Sequence, residues 1–178
     1  MKHILMVLTF STLALAASYD PFLLKTQLNL LPKIALLEKN LSFTKPKAPM
    51  KILIAYDRGD EETASMCVKI LLGKSHGVIN GHPIQVTTLS FDQLDDSQSF
   101  HFIYALKGSL SQLKKVHNTA SAADTITALY DADKLGDDGI LLSVQMERSP
   151  VILMNAKAMK DGRFSFPDIL FEMARIVR

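Results

Sequence analysis

Residues 51–56 read KILIAY, a short and mostly apolar run that fits a strand buried on both faces of a sheet. Asp60 follows this run and is placed to cap a helix with apolar residues on one face, which Gly73 ends. Residues 83–89 (PIQVTTL) then predict a second strand. A strand, a helix and a further strand in this order are the repeating unit of a parallel sheet.

The rest of the chain continues the alternation of helices and strands. Apolar residues at helical spacing predict a leading helix over about 21–42, which Pro32 is expected to kink or split. Four later runs are strand-like: 100–106, 125–130, 140–146 and 151–154. The last two flank a turn at 147–150 and predict a hairpin, and a final helix is predicted over 168–177. We therefore expect an α/β fold with a mainly parallel sheet, helices on both faces and a C-terminal antiparallel hairpin at the edge.

Residues 1–16 (MKHILMVLTFSTLALA) have the pattern of a secretory signal peptide. Lys2 provides the positive start, residues 4–13 the apolar stretch, and residues 14–16 the small-residue cleavage site. We expect cleavage directly after this site, a mature protein that is one domain over residues 17–178, and a periplasmic location. No later stretch is long and apolar enough to suggest a membrane span.

The composition argues against several classes of protein. Among the 178 residues, 20 Lys and Arg face 18 Asp and Glu, for a formal charge of +2. So small an excess disfavours a protein that holds nucleic acid mainly by neutralising phosphates. The one cysteine, Cys67, excludes an internal disulfide and a multi-cysteine metal site. It lies on an apolar helix face and is predicted to be a buried, inert thiol.

Known catalytic and cofactor-binding patterns fail at their spacing. The GKS at 73–75 resembles the end of a phosphate-binding loop, but Val68 stands where that loop requires glycine. No dinucleotide-binding glycine fingerprint and no nucleophile elbow are present. The acidic run that starts at Asp131 has Leu135 where a calcium loop requires an oxygen ligand. We therefore predict a non-enzymatic protein without catalytic residues, cofactor or metal.

Three side chains near the predicted strand ends are candidate contacts for a small ligand. Asp57 follows the first strand, Lys107 follows the strand over 100–106, and His82 precedes the second strand. Open α/β sheets bind ligands at the carboxyl ends of their strands. A solute-binding module of this fold would therefore hold an anion near Asp57, His82 or Lys107. His101, inside a predicted strand, is expected to be structural.

A family resemblance is carried by residues 139–178. Gly139 leads a strand, Asn155 ends the next one, a small-residue–Gly step follows at 161–162, and residues 170–177 are rich in Leu, Ala and Arg. This order resembles the YfiR-like family of bacterial periplasmic regulators.

The segment before it extends the resemblance, with departures. Residues 73–74 and 81–86 (GHPIQV) are similar to the family's "GK…GRPI.V" segment. The family's charged "RFEIN" reads ILMN at 152–155. Several members carry cysteine pairs linked to redox control, which a chain with one cysteine does not share.

The resemblance implies an exported regulator that binds the periplasmic part of an inner-membrane signalling protein, a diguanylate cyclase or sensor kinase, and restrains its activity. In the best-known arrangement, production of cyclic-di-GMP rises when the regulator is withdrawn. The contact surface would lie around the last hairpin and final helix and include Met154, Asn155 and Arg163, and a homodimer is left open. The alternative is a small periplasmic solute-binding module. A secreted hydrolase is disfavoured because no nucleophile, base and orienting group are recognisable together.

Overall fold

The computed structural model describes residues 18–40, 48–73, 76–121, 125–136, 139–162 and 164–177. The expected signal peptide lies outside these residues. The helices are α1 (Pro21–Ala35), α2 (Glu61–Gly73), α3 (Leu110–Ser121), α4 (Ala156–Asp161) and α5 (Asp168–Met173). The strands are β1 (Met50–Tyr56), β2 (Val78–Ile79), β3 (His82–Ser90), β4 (Phe102–Ala105), β5 (Ile126–Leu129), β6 (Leu142–Met146), β7 (Pro150–Asn155) and β8 (Ala174–Val177). Within the described ranges, no helix has the length and hydropathy needed to cross a bilayer.

The strands form one sheet in the order β2-β3-β1-β4-β5-β6-β7-β8. From β3 to β6 the neighbouring strands are parallel. β2 pairs antiparallel with β3 at one end, and β6 and β7 form an antiparallel hairpin towards the other. The prediction of a mainly parallel α/β sheet with a C-terminal antiparallel hairpin is confirmed, and β8 lies outside the hairpin as the outermost strand.

The central strand β1 is buried on both faces, as its apolar sequence predicts. Ile52 and Ile54 belong to a core that α1, α2, α4 and α5 cover, whereas Leu53 and Ala55 belong to a second core under α3. Successive side chains of a strand point to opposite faces, so one apolar run serves both cores. Helices on both faces of the sheet are thereby confirmed.

A buried polar side chain, Gln27, ties α1 to the sheet. Its Nε2 atom donates to the carbonyl oxygens of Tyr130, at 2.9 Å, and Val144, at 2.7 Å. Its Oε1 atom accepts a hydrogen bond from the Tyr104 hydroxyl. α1 is a single helix with Pro32 inside its last turn, so the proline does not split it.

The end of the chain differs from the sequence prediction. The expected helix over 168–177 stops at Met173, and residues 174–177 form β8, which pairs in parallel with β7. The prediction of helix over these last four residues is wrong. The apolar spacing favours a helix locally, but the free edge of β7 offers the same backbone groups a ladder of hydrogen bonds.

Candidate functional site

The strand order creates a topological switch point between β1 and β4. β3, the next parallel strand after β1, pairs on one side of it, and β4 pairs on the other side. In open α/β sheets, ligands bind outside the carboxyl ends of the strands at such a point. The corresponding crevice in this protein lies between residues 57–60, after β1, and residues 106–109, after β4.

The loop after β1 is held in shape by its own backbone and by α3. The backbone N–H of Asp60 donates to the carbonyl of Asp57 at 3.0 Å, and Gly59 adopts a φ of +100°, which favours glycine. The Oδ1 atom of Asp57 accepts from Gln112 Nε2 at 2.9 Å. Asp57 thus orders the loop, while Asp60, only 6% exposed, contributes the buried carboxylate of the crevice.

Tyr19, just before α1, occupies this crevice. Its hydroxyl donates to Asp60 Oδ2 at 2.5 Å and accepts from the backbone N–H of Lys107 at 3.1 Å. Its ring lies edge-to-face with Tyr130, with the ring centroids 4.8 Å apart. Burial, together with the hydrogen bond to Asp60, raises the pKa of the Tyr19 hydroxyl well above its usual value. The phenol therefore stays protonated and serves as the donor.

The residues on either side of Tyr19 add further contacts. The ammonium of Lys107 donates to the carbonyl of Ser18, and it lies 5.2 Å from the ring centroid of Tyr19 and 5.6 Å from that of Tyr130. The backbone N–H of Asp20 donates to the Tyr130 hydroxyl at 2.7 Å. Residues 18–20, which we call the strap, thus cover the crevice at the switch point.

A cleft of about 300 Å³ adjoins the strap. Lys107 and Tyr130 line it together with Asp131, Asp133 and residues 144–146 at the end of β6. The cleft and the crevice therefore share Lys107 and Tyr130.

The structure brings together two of the three predicted ligand contacts. Asp57 and Lys107 lie in the two loops that border the switch point, at the carboxyl edge of the sheet. His82 is the first residue of β3 and pairs with Ile79 at the opposite edge, so it belongs to no common site with them. Tyr19 was not predicted, because a tyrosine in front of a helix carries no sequence signal for ligand binding.

The structural role predicted for His101 and the burial predicted for Cys67 are confirmed. His101 Nδ1 accepts a hydrogen bond from the backbone N–H of Lys51 at 2.8 Å, and burial, then the Lys51 charge, lowers its pKa. Cys67 is fully buried, and burial raises the pKa of its thiol to about 12. In the described part of the chain, no three His, Cys, Asp or Glu side chains lie close enough together to hold a metal ion.

The predicted partner contacts need correction. Met154 is 0% exposed as part of the core under the helices, and Asn155 is 1% exposed where β7 joins α4. The Asn155 Oδ1 atom caps α4 by accepting from the backbone N–H groups of Lys157 and Ala158 at 3.0 and 3.1 Å. The assignment of Met154 and Asn155 to a contact surface is therefore wrong, and Arg163 lies outside the described residues.

Exposed apolar side chains do occur beside these residues, on α5 and β8. Ile169, Met173 and Ile176 are 56%, 65% and 43% exposed. We call these three side chains, with the outer side of β8, the apolar edge. Sequence periodicity did not reveal it, because the same residues fitted the buried face of a helix.

Comparison with known proteins supports the fold. No family model and no curated protein matches the sequence. Solved structures do match. A conserved domain protein from Vibrio cholerae is 12% identical with a TM-score of 0.59, over 87% of this chain and 60% of that one. The ABC domain in complex with L-Trp from Streptococcus pneumoniae is 11% identical with a TM-score of 0.57, over 88% of this chain and 62% of that one. The chain thus spans about three fifths of each, and the likeness concerns the fold alone.

Proposed function

We propose that this protein is an exported, non-enzymatic regulator that binds the periplasmic part of an inner-membrane signalling protein and restrains its activity. The partner is a diguanylate cyclase or a sensor kinase. The apolar edge is the observation that carries this proposal, and the resemblance of residues 139–178 to YfiR-like regulators supplies the class of partner.

The apolar edge has two properties of a protein-binding surface. First, β8 is the last strand in the sheet order, so its outer backbone groups have no neighbouring strand within the described residues. Such an edge is a template for a strand of another chain. Second, Ile169, Met173 and Ile176 are large apolar side chains exposed on α5 and β8.

The energy that such a regulator has to supply is small. A preference of about 3 kcal/mol for the inactive state of the partner shifts its equilibrium about 100-fold. Full burial of one exposed Ile or Met side chain contributes about 1.5–3 kcal/mol. Because Ile169, Met173 and Ile176 are about half exposed, each would contribute about half of that on burial. Only contacts that are better with the inactive state of the partner shift the equilibrium.

A pair of matched variants tests the proposal. Ile169 on α5 and Leu110 on α3 are both exposed and both lie in the first turn of their helix, where a carboxylate is favourable. We expect the wild-type protein to capture an inner-membrane cyclase or kinase from native membranes. We expect Ile169→Glu to reduce this capture at least about 10-fold, since it places a charge in the contact. Leu110→Glu should capture as the wild type does.

A functional readout accompanies the capture. Addition of the wild-type protein to membranes that contain the captured enzyme should lower its cyclase or kinase activity, and Ile169→Glu should not. Failure of the folded wild-type protein to retain any signalling enzyme would refute the proposal. Equal capture by the two variants would refute the assignment of the apolar edge.

A small solute-binding module is the second candidate, and the cleft at the carboxyl edge favours it. The Streptococcus pneumoniae domain of similar fold is described in complex with L-Trp, which makes an amino acid a reasonable first ligand to test. A thermal-shift screen of amino acids against the wild type and Lys107→Met would decide, because Lys107 lines the cleft. Stabilisation that is absent in the variant would support this function, and no stabilisation by any solute would count against it.

A further inference from the structure

We propose that the crevice under the strap is a binding site for a small para-hydroxyphenyl carboxylate, and that the strap is its internal competitor. This inference goes beyond the regulator function, and it gives the second candidate function a chemical class of ligand. It is carried by the contacts of Tyr19 at the switch point.

The two partners of the Tyr19 hydroxyl select a phenol. Asp60 accepts from it at 2.5 Å, and the backbone N–H of Lys107 donates to it at 3.1 Å. A group at this position has to donate and accept at once, as a hydroxyl does. A ligand with an unsubstituted ring would leave the buried Asp60 carboxylate without this donor. A ligand carboxylate at the same position would be repelled by the Asp60 carboxylate.

The surroundings of the ring select an aromatic molecule. The Tyr130 ring presents an edge-to-face contact with centroids 4.8 Å apart, and the Lys107 ammonium lies 5.2 Å from the centroid of the occupied ring. Both contacts depend on the quadrupole of an aromatic ring.

The Lys107 ammonium adds the preference for a carboxylate. In the strap it donates to the carbonyl oxygen of Ser18. Lys107 forms no ion pair with any carboxylate of the described residues. The bond to the Ser18 carbonyl already has a charged donor, and a ligand carboxylate in place of that carbonyl would add the attraction of an opposite charge to it. The ligand thus gains a contact that the strap lacks.

Ser18 and Tyr19 of the strap can leave the crevice while Asp20 stays in place as the cap of α1. The Asp20 side chain caps α1 by accepting from the backbone N–H groups of Phe22 and Leu23 at 2.8 and 3.3 Å, and this cap does not involve Tyr19. Ser18 and Asp20 are exposed. The adjoining cleft of about 300 Å³ offers the ligand an approach to Lys107 and Tyr130. Displacement therefore costs the contacts of Ser18 and Tyr19 and no secondary structure.

Titration with para-hydroxyphenylacetate tests this inference. Because Tyr19 is tethered to the rest of the chain, it competes with the probe for the crevice at an effective concentration of about 1 mM. We expect saturable binding to the wild type, with movement of the Ser18 and Tyr19 amide signals in NMR spectra. Tyr19→Ala should bind about 10-fold more tightly, since its crevice is open. Phenylacetate, which lacks the hydroxyl, should bind at least about 10-fold more weakly. Lys107→Met should weaken binding of the hydroxylated probe.

Several results would overturn the inference. Binding to Tyr19→Ala alone, without displacement of the strap in the wild type, would mean that Tyr19 is only a structural plug. Equal binding of the two probes would refute the role of Asp60 as acceptor. If Tyr19→Ala fails to fold, Tyr19→Phe is used in its place, because it keeps the ring but weakens the contacts of the strap. An affinity of Tyr19→Phe for para-hydroxyphenylacetate equal to that of the wild type would also refute competition by the strap. None of these outcomes depends on capture of a membrane protein through the apolar edge.

Discussion

The Tyr19 hydroxyl donates a 2.5 Å hydrogen bond to the Asp60 carboxylate, which joins the residue before α1 to the loop after β1. The two residues border the switch point, where folds of this class bind ligands. A part of the chain itself therefore takes a place that other α/β proteins offer to a ligand.

Removal of this hydroxyl should destabilise the protein. We expect Tyr19→Phe to lower the free energy of unfolding by about 1–2 kcal/mol, because a hydrogen bond to a carboxylate is lost at a partly buried site. Urea denaturation measures the change. Tyr56→Phe is the matched control, since the half-buried Tyr56 hydroxyl has no hydrogen bond within the described residues. Equal losses in the two variants would contradict the prediction.

Alkaline pH should destabilise the fold through its buried tyrosines. Burial raises the pKa of Tyr104 and of Tyr130, and burial with the Asp60 hydrogen bond raises that of Tyr19. The unfolded chain releases tyrosine protons near pH 10, whereas the native protein retains them. The unfolded state then binds fewer protons, so the free energy of unfolding falls as the pH rises above about 10.

Urea titrations from pH 8 to alkaline pH check this sign. Tyr104→Phe should show a shallower fall, since it removes a fully buried phenol. An identical pH dependence in wild type and variant would be inconsistent with retention of the Tyr104 proton.

Replacement of Gln27 should be among the more costly changes in the core. Gln27→Leu leaves the carbonyls of Tyr130 and Val144 and the hydroxyl of Tyr104 without their partner. We expect a loss of at least about 3 kcal/mol, since three buried groups lose their partner and each unsatisfied buried group costs about 1–3 kcal/mol. Tyr104→Phe should cost less when it is introduced into Gln27→Leu than into the wild type. Additive losses would argue against a shared network.

A substitution at Gly139 should be destabilising for steric reasons. Gly139 has a φ of +76°, and a Cβ atom there would lie 2.6 Å from Nδ1 of His117. Gly139→Ala should therefore cost about 1–3 kcal/mol in thermal or urea unfolding. Gly73→Ala is the control, because its Cβ would have no heavy atom within 4 Å. A cost no greater than that of the control would show that the loop adapts.

The Cys67 thiol should be protected from reagents in the native state. Burial raises its pKa to about 12, so almost no thiolate is present at pH 8. Modification by a disulfide reagent should be about 1,000-fold slower in buffer than in denaturing urea. Similar rates under both conditions would indicate that α2 opens readily.

The local sequence was sufficient where the pattern of apolar residues in an element matches the surroundings that the fold gives to that element. The run KILIAY at 51–56 has apolar residues on both sides of a strand, and a central strand between two helical layers needs them on both. The same agreement holds for α2, which was predicted after Asp60 and whose buried apolar residues face the sheet.

The local sequence was insufficient where the same residues fit both a helix and a strand. Residues 174–177 continue a helical pattern, yet they form β8 because β7 offers a free edge. Met154 is buried in the core under the helices, Asn155 is buried as the cap of α4, and Ile169, Met173 and Ile176 lie at the surface. The local sequence contains neither the packing that buries the first two nor the pairing that turns residues 174–177 into β8.

By itself, the sequence determined the α/β class, most of the helices and strands, and the structural roles of His101 and Cys67, because these follow from periodicity and residue chemistry within short windows. Only the tertiary structure decided the strand order, and with it the switch point at which Tyr19, Asp60 and Lys107 meet. Contacts between residues so far apart in the chain depend on how the strands are ordered, and strand order results from the packing of the whole sheet.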